Sequence, residues 1–256
     1  LLDIILEEGR IVGATDPNYA PQSFLNEAGE MVGFDIDVYK EVAKRLGVEM
    51  EFVTPDWDLI TAGSWGARWD LSIGSMTPTD ERARVLWFTD PYYYTPAGFA
   101  VHQDNTTIKT VDDLAGKVIG LCGECTYEYF LRKELTIPIP GYEVEFVAWE
   151  PGELKTYPTD ANAIEDLRLG DGVRLDAVLS AIPTLENAVK EGVPIKLVGD
   201  PVFYEPLSVA LDKARGPSEK LLAKLNGIIA DMHADGTLTE FSMKWYGEDI
   251  TKSTVP

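Results

Sequence analysis

The sequence predicts an α/β protein, because short apolar strands and helical segments alternate along the whole chain. The composition supports a folded protein: of the 256 residues, 45% are hydrophobic and 25% are charged, which is typical of globular domains. No internal repeat or low-complexity segment interrupts the alternation. A chain of this length corresponds to one large domain or to two domains of about 100–150 residues each.

The N-terminal part begins with a strand and continues with an amphipathic helix. Residues 9–15 are typical of a short buried strand that enters a turn. Ile36, Tyr39 and Val42 recur at helical spacing, and Gly47 ends the pattern. Further strands are predicted at 49–53, 70–75 and 98–102, with an apolar run at 85–88, a helical segment near 58–66 and a helix start at 77–82.

The second half of the chain continues the alternation and ends in two helices. Strands are predicted at 118–121, 143–148, 176–179, 196–198 and 207–211, and helices near 111–117, 126–134, 160–169, 183–191, 217–234 and 236–245. Because a parallel sheet needs a crossover between its strands, this order favours a sheet covered by helices.

Residues 103–206 contain a complete set of strands and helices of their own, and an extended run flanks this segment on each side. A domain inserted into another domain needs two such crossings, and two crossings form a hinge rather than a tether. We therefore predict a discontinuous lobe 1 from residues 1–100 and 208–256. Residues 101–207 are predicted to form the inserted lobe 2.

The charge excludes one class of function. Asp and Glu number 43 against 22 Lys and Arg, which gives a formal net charge of −21. Nucleic acids and anionic lipid surfaces are bound by clustered basic residues, so we expect no nucleic-acid partner. No apolar stretch approaches the roughly 18 residues of a membrane span. The first eight residues lack a basic n-region and a long apolar stretch, so we expect a mature or trimmed form from which any export signal has been removed.

The two cysteines lie close together as Cys122-Gly123-Glu124-Cys125. This spacing is compatible with a redox dithiol, half of a zinc site or a short structural disulfide. A zinc site needs about four ligands, and His102 and His233 are isolated in the sequence, so we expect no metal. The spacing alone leaves the redox and the structural interpretations open.

The order of several segments closely resembles one known family. These segments are Ala14–Pro21, Val32–Val38, Trp57–Ile60, Ile73–Arg82, Trp87–Tyr93, Asp113–Gly120, Leu175–Leu179 and Asp235–Thr237. They are similar to the type II periplasmic solute-binding proteins of amino-acid ABC transporters, the bacterial extracellular solute-binding protein family 3. The resemblance implies a two-lobed periplasmic-binding-protein-like II fold, with a two-strand hinge and a ligand cleft between the lobes.

The resemblance also implies a binding site for the ligand carboxylate in lobe 1. Family residues that match Ser75, Thr77 and Arg82 hold the ligand α-carboxylate, and Gly74 belongs to the same segment. A guanidinium suits this role because its planar fork can donate two parallel bonds to a carboxylate. The alternative is a surface arginine that pairs with a neighbouring acidic side chain.

Three further residues are assigned to ligand contact. The family stacks the ligand side chain between residues that match Tyr19 and Trp57, for which flat aromatic rings are well suited. Asp16 follows the first strand, where some family members contact the distal ammonium of a basic ligand. The alternatives are ordinary core aromatics and an aspartate that stabilises a turn.

In lobe 2, the cysteine segment occupies the position of the family's ligand-binding turn. Thr126 matches a threonine that donates to the ligand carboxylate, and Tyr127 follows it. Export implies an oxidising compartment, so the resemblance favours a Cys122–Cys125 disulfide that rigidifies the turn, with a redox-active pair as the alternative. Glu124 faces either the cleft or solvent.

One departure from the family pattern concerns the ligand ammonium. The family places an aspartate two residues after the Asp-Ala-Val-Leu strand, where it binds the α-ammonium, but this chain has Ala181 there. An unpaired buried ammonium costs several kcal/mol. Either Glu124, Asp16 or Glu205 therefore replaces the missing aspartate, or the ligand has no α-ammonium.

The resemblance predicts the substrate-binding component of an ABC importer, which binds a polar amino acid or an amino-acid-like carboxylate. It implies a membrane permease as partner, a monomer, no cofactor, and a periplasmic or extracellular location, with lipid anchoring of the precursor left open. The alternative is an enzyme similar to cyclohexadienyl or prephenate dehydratases on the same scaffold. Such an enzyme would need a positioned general acid, and the matching region offers only Ser180 and Ala181.

Overall fold

The computed structural model describes residues 1–138 and 142–252. The chain forms two compact units: unit 1 comprises Leu1–Pro17, Pro21–Tyr94 and Pro206–Pro256, and unit 2 comprises Asn18–Ala20 and Thr95–Glu205. The division into lobes at residues 100/101 and 207/208 stays a prediction. Within both units, helices and strands alternate as expected for an α/β protein.

The helices and strands have the following bounds. The α-helices are α1 Leu2–Glu8, α2 Phe34–Leu46, α3 Trp57–Thr61, α4 Thr126–Leu131, α5 Asp160–Leu167, α6 Ile182–Lys190, α7 Glu219–Ala234 and α8 Thr237–Tyr246. The strands are β1 Arg10–Ala14, β2 Asn18–Tyr19, β3 Ser23–Leu25, β4 Met31–Val32, β5 Glu49–Val53, β6 Leu71–Met76, β7 Leu86–Phe88, β8 Tyr93–His102, β9 Val118–Cys122, β10 Glu153–Tyr157, β11 Ala177–Ala181 and β12 Ile195–Asp212.

Unit 1 is built around three neighbouring parallel strands. β1 lies between β5 and β6 and pairs in parallel with both, and β6 pairs with β12 in the antiparallel direction. The apolar face of α2 is buried, including Phe34, Val38 and Val42, and it packs with Leu225 and Ile229 of α7 in one core cluster. Parallel strands end at the same edge of a sheet, so the loops after β1, β5 and β6 share one edge of unit 1.

Unit 2 has its own sheet and core. β9 pairs in parallel with β10 on one side and with β11 on the other, and β11 pairs with β8 in the antiparallel direction. Phe99, Leu121, Phe130 and Leu179 are almost completely buried in one cluster. The loop after β9 therefore leaves a strand that is fixed on both sides.

The strand predicted at 143–148 is wrong. Tyr142–Ala148 form no strand, and the partner of β9 is the later segment Glu153–Tyr157. Val144 and Val147 supply the alternating apolar pattern, but they pack against the core of unit 2 as part of a loop. β10 and β11 already pair with both edges of β9. The apolar side chains of Val144 and Val147 are therefore buried by packing, while their backbone joins no strand ladder.

Two helical predictions near the candidate site are too long. The helix predicted at 58–66 ends at Thr61, because Gly63 and Ser64 adopt positive φ angles. The buried Asp212 carboxylate then accepts the backbone N–H of Ser64 at 3.1 Å and holds the turn. The helix start predicted at 77–82 leads only to one 3₁₀ turn, Arg82–Arg84.

The helices of the structure confirm one prediction from the sequence and add one helix to it. α2 ends at Leu46, and Gly47 caps it in the left-handed conformation, as predicted. The N-terminal helix α1 was not predicted. Within the described residues, no helix is long and apolar enough to cross a membrane.

Candidate functional site

The end of β6 carries a strained residue. Ser75 has φ +54°, a conformation that side chains other than glycine rarely adopt, and it is 9% exposed. Its hydroxyl donates a hydrogen bond to Asp35 Oδ2 at 2.6 Å and contacts the hydroxyl of Tyr93. The Ser75 hydroxyl is therefore directed into the interior of unit 1.

Asp35, which the sequence did not single out, is the centre of this buried polar group. It lies in the first turn of α2 and is 0% exposed. Burial raises the pKa of the Asp35 carboxyl to about 7, while hydrogen bonds from Ser75 and from the Tyr92 hydroxyl, the latter at 2.7 Å, act in the opposite direction. The signal that could have found it is an acidic residue between two apolar residues at a helix start.

Arg82 is buried rather than surface-exposed, with 4% of the residue accessible. Its Nη1 donates to the backbone carbonyl of Thr77 at 3.0 Å, and its own backbone N–H donates to Thr79 Oγ1 at 3.2 Å. The guanidinium carbon lies 5.2 Å from the ring centroid of Trp57, within cation–π range. The interpretation as a surface ion pair therefore does not apply to Arg82.

The structure groups the predicted residues of unit 1 at one edge of its sheet. Asp16 follows β1, Trp57 begins α3 after β5, and Thr77 follows β6. Gly74 lies one position before Ser75 within β6, and a Cβ added there would meet the Thr15 Cα at 3.7 Å, an ordinary contact. The carboxyl edge of the parallel strands therefore carries a buried guanidinium that is backed by an aromatic ring.

The turn after β9 in unit 2 is closed by a disulfide. Cys122 and Cys125 are bonded, with their Cα atoms 5.5 Å apart. Glu124 between them is exposed and has φ +60°. Its backbone N–H donates to Glu128 Oε2 at 2.9 Å, while the N–H of Gly123 donates to the carbonyl of Tyr157 at 2.9 Å. These contacts fix the turn from both of its ends.

Thr126 and Tyr127, which follow the disulfide, are both 3% exposed and lie beside buried acid groups. The Thr126 hydroxyl donates to Glu205 Oε1. Burial raises the pKa of the Tyr127 hydroxyl well above its ordinary value, and the neighbouring Glu205, Tyr19 and Asp160 raise it further. The structure therefore brings Tyr19 together with Thr126 and Tyr127 in unit 2.

Ala181 ends β11 and is completely buried. Among the described residues of unit 2, the buried carboxylates are Glu205 at 3% and Asp160 at 6% exposure. Asp160 was missed by sequence reasoning, although its position directly after the helix cap Thr159 marks it as a first-turn acid of α5. Glu205 is the buried carboxylate that contacts Thr126 directly.

Metal-ligating side chains do not cluster in the parts of the chain that the structure describes. No group of three or more His, Cys, Asp or Glu residues in residues 1–138 and 142–252 could hold a metal ion. Both cysteines are bonded to each other.

The chain is similar to proteins of known type over nearly its full length. Against the L-cystine-binding protein TcyJ of Escherichia coli strain K12 it is 33% identical over 254 residues, which is 98% of this chain and 88% of the relative. An ancestral arginine-binding protein bound to glutamine matches with a TM-score of 0.79 and 32% identity, covering 94% of this chain and 99% of the other.

A third similarity concerns an enzyme lineage. The ancestral amino-acid-binding protein AncCDT-1, described as a precursor of cyclohexadienyl dehydratase, matches with a TM-score of 0.81 and 29% identity, covering 96% of this chain and 99% of the other. The model of the bacterial extracellular solute-binding proteins, family 3, matches residues 11–248. The chain therefore belongs to family 3 of the bacterial extracellular solute-binding proteins.

Proposed function

We propose that this protein is the substrate-binding component of an ABC importer, and that it binds a polar amino acid or a related carboxylate and delivers it to a membrane permease. The observation that carries the proposal is the buried guanidinium of Arg82, stacked on Trp57 at the carboxyl edge of the unit 1 sheet. Membership of the family and the amino acids named for its relatives support it.

Arg82 is proposed to hold the ligand carboxylate. One of its nitrogens donates to the Thr77 carbonyl, and this bond orients the planar fork. A buried cation benefits strongly from an anionic partner, because little water screens the pair. Backbone N–H groups of Ser75 and Thr77 supply further donors, since the Ser75 hydroxyl is already bound to Asp35.

Glu205 is proposed to accept the ligand ammonium in place of the aspartate that Ala181 replaces. It is buried in unit 2, and the Thr126 hydroxyl orients one of its oxygens. A carboxylate can accept about four hydrogen bonds, so an ammonium can be added to the bond from Thr126. Glu124 suits this role less well, because it is exposed.

The remaining predicted residues are proposed to select the ligand side chain. Trp57 offers one ring face in unit 1, while Tyr19 and Tyr127 belong to the acidic surroundings of Glu205 in unit 2. Asp16, half-buried after β1, offers a carboxylate for a polar or basic side chain. The relatives named for cystine and arginine bind amino acids with side chains of this polar kind.

The same proposal places the protein in the periplasm or outside the cell, where its family acts, as a monomer that binds without catalysing a reaction. The enzyme alternative is a dehydratase related to the lineage of AncCDT-1. A dehydratase needs a general acid that is free to transfer a proton. The binding role is favoured because the chain has Ala181, which carries no acid group, at the end of β11.

The test combines titration calorimetry with an assay for turnover. Cystine, histidine, arginine, glutamine and the matching carboxylic acids without an α-amino group are titrated, and prephenate is incubated with the protein. We expect at least one amino acid to bind at micromolar affinity and prephenate to remain unchanged. Turnover of prephenate, together with no amino-acid binding, would contradict the transport role and support the dehydratase alternative.

Glu205→Gln tests the role of the carboxylate in the same titrations. The glutamine amide would keep an acceptor for Thr126 but lose the negative charge, so amino-acid affinity should fall by about 10- to 100-fold. Affinity for the analogue without an amino group should be unchanged. Glu165→Gln, which breaks a surface pair with Arg168 in unit 2, is the matched control. Equal losses for both ligands would contradict the assignment.

A further inference from the structure

Asp35 has no place among the residues proposed to touch the ligand, yet it is completely buried and bonded to one of them. Ser75 donates to its Oδ2 at 2.6 Å and Tyr92 donates to its Oδ1 at 2.7 Å. In its ionised form the Asp35 carboxylate only accepts, so in that form the single hydroxyl proton of Ser75 points at Asp35. The hydroxyl of Tyr93 must then donate to Ser75, and the three groups form a chain with one direction.

The middle member of this hydrogen-bond chain, Ser75, is a strained residue of β6. Ser75 adopts φ +54°, where a Cβ is unfavourable and where glycine is the usual residue. Such a conformation persists only where surrounding contacts hold it. The hydrogen bonds from Tyr93 and to Asp35 are contacts of this kind, because they fix the Ser75 side chain on the inner side of the strand.

The conformation of Ser75 determines where the following residues go. Two positions later, the carbonyl of Thr77 accepts the hydrogen bond from Arg82 Nη1 at 3.0 Å. A change of φ at residue 75 would redirect the strand end and move that carbonyl. The orientation of the Arg82 fork therefore depends on a residue that Asp35 holds in place.

We propose that Asp35 is a positioning residue for ligand binding: through Ser75 it holds the end of β6 in the left-handed conformation that places Thr77 and Arg82. This inference rests on the proposed function, since it assumes that Arg82 binds the ligand.

The second acid of the same helix helps to distinguish positioning from ordinary packing. Asp37 accepts bonds from Lys244 at 2.6 Å and from Trp245 at 2.7 Å, and so it ties α2 to α8. Asp35 instead has its partners at the strand that carries the candidate site. Burial raises the pKa of Asp35, which indicates that keeping a carboxylate there is unfavourable for the fold. A role in placing Ser75 explains why it is nevertheless present.

The test measures ligand affinity by calorimetry in Asp35→Asn, with the amino acid that the wild-type protein binds best. An asparagine turns its N–H group towards one of the two hydroxyls, which can then no longer donate to residue 35, so one of the two bonds is reversed or lost. We expect affinity to fall by about 10-fold, in the range typical of a broken buried hydrogen bond. Asp37→Asn is the matched control and should bind as the wild-type protein does.

The variant Ser75→Gly distinguishes a positioning role of Asp35 from a purely structural one. Glycine adopts positive φ without an anchor, so residue 75 would no longer depend on Asp35. In the Ser75→Gly background, Asp35→Asn should change affinity by less than about twofold. An equal loss in both backgrounds would overturn the inference.

Tyr93→Phe keeps the inference testable if Asp35→Asn does not fold. It removes only the outer donor of the chain, and we expect a loss of affinity of about threefold that Ser75→Gly suppresses. Wild-type binding with unchanged affinity in the variants at positions 35 and 93 would overturn this inference and leave the proposed function intact. An absence of amino-acid binding by the wild-type protein would instead overturn the proposed function, and this inference with it.

Discussion

The two units prepare their candidate binding residues by different physical means. In unit 1, Arg82 and Thr77 follow parallel strands, and non-covalent bonds from Ser75 to Asp35 and from Arg82 to Thr77 hold them in place. In unit 2, the disulfide between Cys122 and Cys125 closes the turn that precedes the candidate residues.

The candidate ligand-binding residues of the two units also differ in the sign of their buried charge. Unit 1 buries the guanidinium of Arg82 beside Trp57, whereas unit 2 buries the carboxylates of Glu205 and Asp160 around Tyr127. The comparison teaches that the arrangement of the candidate residues depends on the protonation of Asp35 in unit 1 and on the oxidation of Cys122 and Cys125 in unit 2. Each dependence can be broken separately.

The largest expected effect concerns the stability of unit 1 as a function of pH. The pKa of Asp35 is about 7 in the folded protein and 3.8 when unfolded, so the folded state binds more protons between these values. Stability should therefore fall as pH rises from about 4 to about 8, by up to about 4 kcal/mol from this group.

Urea unfolding of the wild-type protein and of Asp35→Asn at several pH values measures this contribution. The difference between the two free energies of unfolding should shift in favour of the variant as pH rises, because asparagine does not titrate. Asp37→Asn controls for other groups that titrate in the same range. Two curves that stay parallel from pH 5 to pH 8 would show that Asp35 does not titrate there.

The next largest effect is expected for Arg82→Ala. Removing the guanidinium removes the proposed charge-assisted bonds, and ligand affinity should fall by at least about 100-fold, or about 3 kcal/mol. The melting temperature should fall by only a few degrees, since Trp57, on which Arg82 stacks, is only partly buried and lies at the margin of a small apolar cluster.

Arg82→Lys distinguishes the contribution of the positive charge from that of the planar guanidinium. A lysine keeps the charge but cannot bind a carboxylate with two parallel bonds, so it should recover only part of the affinity. A large loss of stability with affinity retained in Arg82→Ala would identify Arg82 as a structural residue.

The disulfide should have an intermediate effect, confined to unit 2. Opening the Cys122–Cys125 bond restores freedom to a short loop of the unfolded chain, for which the loop-entropy relation gives about 2 kcal/mol. Calorimetric unfolding with and without a reductant measures the loss, and ligand affinity should fall with it, because Thr126 follows the turn directly. The Cys122→Ser/Cys125→Ser variant should show no response to the reductant. Thiol labelling of the native protein that finds two free sulfurs would contradict the bond.

The smallest effect is expected for Trp57→Leu. The cation–π contact between Arg82 and Trp57 contributes about 1 kcal/mol, so ligand affinity should fall by about fivefold. Trp87→Leu is the matched control, since Trp87 stacks with Lys213 in the same unit but is 41% exposed. Equal losses of affinity in the two variants would show that the Arg82 contact has no special role.

Elements whose pattern is local could be predicted from the sequence. The helical spacing of Ile36, Tyr39 and Val42, with Gly47 as its end, predicted α2 because the bonds of a helix join residues four apart. The strand predicted at 143–148 was wrong, because alternation does not reveal which segment pairs with β9. The turn after Thr61 was missed because Asp212, far along the chain, holds it.

In the candidate site too, residues that belong to local motifs could be predicted, whereas contacts between distant residues could not. Arg82, Thr77 and Ser75 could be singled out from a motif, but the burial of Arg82 against Trp57 could not. The spacing of the two cysteines left several interpretations open, and the structure joins their sulfurs. Asp35 was missed entirely, because its partner Ser75 lies 40 residues away.

The sequence by itself determined the class of the protein, since composition, charge and the order of short motifs require no knowledge of long-range contacts. The tertiary structure decided which polar groups meet in the interior: Asp35 with Ser75 and Thr126 with Glu205, the second pair 79 residues apart. The physical reason is that apolar periodicity is repeated along the chain and is therefore visible locally. The partner of a buried charge is a single residue, and strand order and packing decide which one it is.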